Sequence, residues 1–140
     1  MEVKQQNKLM IGNIVKRKYY NPLPGNPTYQ FELCYIKSIG ITKLHVTESL
    51  NLKHNELIKI DYNSISPVLL SEEWLLLKFG FEVASNDCFE SKTKQYRLGN
   101  RLIVLREGVF CDYGTGRKLE YVHILQNLWS ILEEKELEII

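Results

Sequence analysis

The stretch Ser71-Glu-Glu-Trp-Leu-Leu-Leu-Lys-Phe-Gly-Phe81 decides how the chain is organised. It reads as a complete short helix with both ends written in. Ser71 is placed to cap the first turn, accepting from one of its free N–H groups. Glu72 and Glu73 sit where the helix dipole favours negative charge. Gly80 suits the left-handed residue after the last turn, with Phe81 folding back onto Leu76 in a Schellman ending. This helix divides the chain into two strand-rich parts.

On the N-terminal side, Leu9 to Tyr20 reads as a first strand, with Gly12-Asn13 marking a bulge or a close backbone approach. Asn21 to Thr28 contains three prolines and reads as a loop, because proline removes ladder donors. Tyr29, Phe31, Leu33 and Tyr35 alternate with Gln30, Glu32 and Cys34, as in a half-buried strand. Leu44 and Val46 alternate on the next strand, then Ile58, Ile60 and Tyr62, and Ile65 to Leu69 forms a short final one. Asn51 to Glu56 is turn-like. Short strands at this spacing predict a small rolled sheet or barrel, and an SH3-like β-barrel is the expected form of residues 1–70.

Residues 71–140 are expected to add the central helix, an antiparallel meander and one covering helix, packed as one unit with the first lobe. Phe81 to Phe89 reads as strand and turn. Lys92 to Leu98, Arg101 to Arg106 and Val109 to Tyr113 follow, joined at Gly99-Asn100 and Glu107-Gly108. In that register Leu98, Ile103, Leu105 and Phe110 share one face, and Leu102, Val104, Val109 and Cys111 the other. The covering helix spans Leu119 to about Glu133, with apolar residues spaced by threes and fours. The acidic stretch Glu133 to Ile140 is expected to be dispensable for folding. The fold class is therefore α+β.

Composition is that of a globular protein, with 44% hydrophobic and 25% charged residues in 140. No apolar run approaches the ~20 residues of a membrane-spanning helix, and the polar N-terminus lacks the apolar core of a signal peptide. A bacterial cytoplasmic location is expected, with no membrane partner. Net charge is +1 but uneven. Residues 1–20 carry Lys4, Lys8, Lys16, Arg17 and Lys18 against Glu2, whereas residues 119–140 carry five glutamates against Lys135.

Cys34, Cys88 and Cys111 are odd in number and scattered, which points to free thiols rather than a disulfide framework or zinc site. His45, His54 and His123 have no metal-ligand spacing, and neither metal nor cofactor is expected. His123 and Asn127 lie one turn apart and share a helix edge that either bonds to backbone or contacts a partner. The pairs Glu72/Glu73 and Glu133/Glu134 point about 100° apart and do not face one substrate. No nucleophile elbow or phosphate-binding loop is present, so a non-enzymatic role is expected.

Ile11-Gly-Asn-Ile-Val15, Leu70 to Phe81, and Tyr121-Val-His-Ile-Leu-Gln-Asn-Leu-Trp129 together resemble a group of small proteins of Bacteroidetes phages, prophages and mobile elements. The resemblance covers most of the chain in three blocks. It implies genetic context and fold, and no chemistry. Leu132-Glu-Glu-Lys-Glu-Leu137 departs from the Thr-Gly that usually precedes the final Glu-Leu of that group.

Two binding readings follow. The first places an anion site at Asp112-Tyr-Gly-Thr-Gly-Arg-Lys118. There Gly114 and Gly116 free the backbone to form a nest, Tyr113 and Arg117 flank it, and a helix N-terminus follows. Arg97, Arg101 and Arg106 complete the site if they converge. The partner is then a phosphorylated small molecule, or a host or phage protein, bound or sequestered to antagonise host defence. The second reading is nucleic-acid binding through Lys16, Arg17, Lys18, Tyr19 and Tyr20, since cations interleaved with aromatics suit single strands. A structural or assembly role, with homo-oligomerisation, is the third.

Overall fold

The computed structural model describes residues 9–22, 25, 28–50, 56–85 and 93–140. His54, Cys88, Lys4, Lys8 and most of the proline-rich loop lie outside the described residues. The chain divides into two compact units, Met1–Val68 and Leu69–Ile140. Secondary structure is mixed: antiparallel sheet predominates, with one main helix.

In the first unit, Met10 to Asn13 forms a turn rather than strand. The Asn13 side chain closes it by accepting from the Met10 N–H at 2.7 Å. Gly12 supplies φ of 93°, which only glycine adopts readily, and donates to the Ile36 carbonyl. The strands are β1 Ile14–Asn21, β2 Thr28–Ile39, β3 Lys43–Thr47, β4 Leu57–Asp61 and β5 Ile65–Ser66. A 3₁₀ turn, Tyr62–Ser64, precedes β5. All pairings are antiparallel in the order β4-β3-β2-β1-β5, an open sheet without a β4–β5 ladder among the described residues.

β2 is long because it serves two ladders. Thr28 to Tyr35 pairs with β1, and Ile36 to Ile39 pairs with β3 across a one-residue bulge. The core joins Leu9, Val15, Cys34, Ile36, Leu44, Val46 and Ile65, with Ile58, Ile60 and Tyr62 packed against them.

The second unit holds β6 Glu82–Ser85, β7 Thr93–Leu98, β8 Arg101–Arg106, β9 Val109–Asp112 and helix α1 Val122–Glu133. The sheet is a meander in sequence order. The turn Glu107-Gly108 has positive φ at both residues, 51° and 78°, the geometry that matches strand twist in a two-residue hairpin. The expected face sets hold: Leu105 pairs with Phe110 on one face, and Val104 with Cys111 on the other. The helix side of the sheet is identified by Arg101, whose Nε donates to Glu133 Oε1 at 2.6 Å.

The central helix is shorter and wider than the sequence suggests. Trp74–Lys78 is a π-helical turn, closed by Phe79 N–H to Trp74 O. The Trp74 N–H points at Ser71 Oγ, 3.4 Å away. Gly80 has φ of 77°, and Phe81 donates to the Leu75 carbonyl. The expected Schellman closure is thus present with one residue more in the loop. Trp74, Leu75, Phe79 and Phe81 are buried, with Trp74 against Phe79 and Phe81 edge-on to Trp129.

Two expectations need correcting. Helix α1 begins at Val122, not Leu119, because residues 119–121 are tied down as extended chain. Leu119 donates to Phe110 O, Glu120 accepts from the Leu70 N–H, and Tyr121 bridges to Leu69. The terminal segment also packs. Leu137 is buried, and the Ile140 N–H donates to Lys78 O at 2.8 Å, so residues 134–140 are part of the fold.

Candidate nucleic-acid interface

β1 and β2 form a ribbon whose rows are Lys16–Leu33, Arg17–Glu32, Lys18–Phe31, Tyr19–Gln30 and Tyr20–Tyr29. Directly opposed residues share a face and alternate residues exchange faces. One face therefore carries Lys16, Lys18 and Tyr20 with Leu33, Phe31 and Tyr29. The phase of β2 is set by Cys34 and Ile36, both fully buried. The aromatic set of the strand must then point away from the core, and Tyr20, Tyr29 and Phe31 are 54%, 63% and 58% exposed.

Three lysines lie over three rings of this face. Lys18 Nζ is 4.2 Å from the Tyr29 ring centre, Lys16 Nζ 5.8 Å from Phe31, and Lys37 Nζ 5.7 Å from Tyr35. Tyr20 meets Tyr29 edge-on at 5.5 Å. β5 pairs only with Lys16 and Arg17, so no third strand flanks the ribbon tip among the described residues. A lone hairpin is marginal in water; these cross-strand contacts help hold it.

Of the five residues singled out in β1, Lys16, Lys18 and Tyr20 belong to this face. Arg17 and Tyr19 turn the other way and are engaged there. The Arg17 guanidinium stacks on Tyr19 at 4.7 Å and its Nε donates to Glu48 O, while the Tyr19 hydroxyl donates to Gln30 Oε1. Tyr29, Phe31, Tyr35 and Lys37 complete the face. The sequence signal for them was the alternation of β2, which gives the period of a strand but not which set faces the core.

The 112–118 loop is built differently. Asp112 is 4% exposed, and its Oδ2 accepts from the Thr115 N–H at 2.8 Å and the Thr115 hydroxyl at 2.7 Å. The Gly116 N–H goes to Asp112 O, and the Arg117 N–H to the Thr115 hydroxyl. Gly116 has φ of 72° as the turn requires. Three N–H groups that a nest would offer an anion are thus engaged within the loop, two of them on Asp112. Helix α1 starts too late to point its N-terminus there.

The arginines do not converge. Arg97 and Arg106 lie on the sheet face opposite Arg101, and Arg106 sits at the far end of β8 from the loop. Arg101 is held by Glu133 and, at 3.5 Å, by Leu132 O. Tyr113, Gly114 and Arg117 are exposed on the loop.

Other reactive groups serve the fold. Burial pushes the Cys34 thiol up to about 12, against a smaller opposing pull from Arg17, so it stays protonated. His123 is fully buried and stacks on Tyr121, and Gln126 is buried with it; these residues do not form an outward stripe. Glu72 accepts from Lys94 at 2.7 Å and from the Tyr96 hydroxyl at 3.0 Å. Among the described residues no cluster of His, Cys, Asp and Glu could hold a metal, and no helix is long and apolar enough to cross a membrane. No family model, curated protein or solved structure matches the chain.

Proposed function

We propose that this protein is a non-enzymatic nucleic-acid-binding protein that works through the outer face of β1 and β2. The observation that carries the reading is the outward placement of Tyr29 and Phe31, each exposed and with a lysine beside its ring. Rings accept bases by stacking, worth roughly 1–3 kcal/mol per base, and lysines answer the phosphates. An exposed cation–π contact is worth only about 0.5–1 kcal/mol, so a lysine can leave its ring for a phosphate. No acidic residue stands among the residues named on that face. The strand order and the 3₁₀ turn before β5 support treating the first unit as an SH3-like roll. The resemblance to phage and mobile-element proteins supports a role inside a bacterial host cell.

Fluorescence anisotropy with labelled oligonucleotides of about twelve nucleotides tests this. Binding is expected to weaken as salt rises from about 50 to about 200 mM. Phe31→Ala should weaken it by about 5- to 150-fold while leaving the circular dichroism spectrum unchanged. Wild-type protein that shows no salt-dependent binding to DNA or RNA overturns the reading.

A further inference from the structure

The exposed part of the ribbon divides its chemistry between its two strands. β1 presents the cations Lys16 and Lys18, and β2 presents the rings of Phe31 and Tyr29. Lys18 stands opposite Phe31 but lies over Tyr29, and Lys16 stands opposite Leu33 but lies over Phe31. Both cations thus lean one row toward the Tyr20–Tyr29 end, and each exposed ring has one β1 lysine beside it. Past Phe31 the face closes: Leu33 is half-buried, and Ile14, opposite Tyr35, is fully buried. The open surface therefore holds two ring-and-lysine units. They sit two residues apart on the strand, about 6.7 Å, whereas bases stacked on each other rise only ~3.4 Å.

Resting on the nucleic-acid reading above, we infer that the ribbon takes two consecutive nucleotides of a single strand laid along it, with the bases on β2 and the phosphates on β1. Tyr29 and Phe31 each receive one base, and Lys18 and Lys16 each answer one phosphate. Tyr20, edge-on to Tyr29, flanks the site at that end. A duplex keeps its bases paired and stacked at the shorter rise and offers base faces only at its ends, so it is disfavoured. Because rings and cations stand on separate strands, their contributions separate. The rings sense that a base is present, whatever its identity, since every base has a π-face. The lysines sense charge alone.

Anisotropy titrations with oligo-dT of about six nucleotides, an abasic strand carrying the same phosphates, and a duplex of equal length test this. Wild-type protein should bind the abasic strand about 5- to 150-fold more weakly than oligo-dT for each base lost from a ring, and the duplex more weakly than oligo-dT. The Tyr29→Ala/Phe31→Ala double variant should bind oligo-dT and the abasic strand alike. Its logarithmic salt slope should stay at the wild-type value of about −1.4 for two phosphates. Lys16→Ala and Lys18→Ala should each take about 0.7 from that slope and leave the preference for oligo-dT over the abasic strand unchanged. Salt-dependent binding in which wild type holds the abasic strand or the duplex as tightly as oligo-dT overturns the two-nucleotide site while leaving nucleic-acid binding in place. That comparison uses the unaltered protein, so it stands whatever the variants do to the ribbon. Absence of binding to every strand removes the parent reading itself.

Discussion

The β1–β2 ribbon and the second unit contain similar residues and use them in opposite directions. In the second unit Trp74, Phe79, Phe81 and Trp129 face inward, and Asp112, Glu72 and Arg101 are matched by partners of the same unit. In the ribbon, Tyr20, Tyr29 and Phe31 face outward, with Lys16 and Lys18 lying over the Phe31 and Tyr29 rings. The lesson is that a glycine-rich basic loop can spend its donors on itself: the Asp112 carboxylate takes both Thr115 donors, and the Gly116 and Arg117 N–H groups go to the Asp112 carbonyl and the Thr115 hydroxyl. Conversely, an aromatic strand is not core when its neighbours Cys34 and Ile36 take the inside.

Truncating a ring gives the sharpest contrast. Trp74→Ala should cost about 3–5 kcal/mol, the range for a large buried side chain. Phe31→Ala should change stability by less than about 0.5 kcal/mol. Urea denaturation followed by far-ultraviolet circular dichroism measures both. Equal losses at the two sites would break the comparison.

Next in size is the loop. Asp112→Ala removes the acceptor for two Thr115 donors and should cost about 1–3 kcal/mol in the same experiment. Arg117→Ala, at an exposed position, should cost almost nothing. Neither should alter oligonucleotide binding. A loss of binding on Arg117→Ala with stability intact would return the loop to the list of ligand sites.

The smallest effect is electrostatic. Hydrogen bonds from Lys94 first, and then Tyr96, hold the Glu72 carboxyl below its ordinary 4.5. The fold therefore favours the charged form. That stability is fully present above about 4.5 and fades as pH falls through the lower native value. Glu72→Gln should flatten the acid limb of stability against pH. Tyr96 runs the other way: burial, then Glu72, raises its phenol from 10.0 to about 12. Its contribution is present below 10 and lost as pH rises through about 12. Thermal melts across pH separate the two limbs, and an unchanged acid limb in Glu72→Gln would show that Lys94 and Tyr96 do not act through this carboxylate.

Much of this was legible in the residues. Alternation located the strands, Gly99-Asn100 and Glu107-Gly108 marked the hairpins, and Ser71 with Gly80 marked both ends of the central turn. What escaped depended on contacts distant in sequence. The phase of β2 needed its pairing with β1 and β3. The start of α1 needed the bonds of residues 119–121 to Phe110 and to Leu69–Leu70. The packed tail needed Lys78 and Gly80, more than fifty residues away from Leu137 and Ile140. The engagement of Asp112 with Thr115 was local, but a buried carboxylate inside a basic loop cannot be told from an exposed one by spacing alone.

The bulge in β2 bears on how such a chain can change over evolutionary time. Between Ile36 and Ser38 the strand carries one residue more than its ladder to β3, where Val46 is followed at once by His45. Loss of Lys37 would join two regular rows and leave every inward side chain inward. Loss of a residue between Tyr29 and Cys34 would instead turn the alternation over. Rings would be driven toward the interior and polar groups outward. The pairing geometry alone therefore tolerates a change of length at position 37, where only the lysine over Tyr35 would be given up, and demands a fixed count along the ribbon.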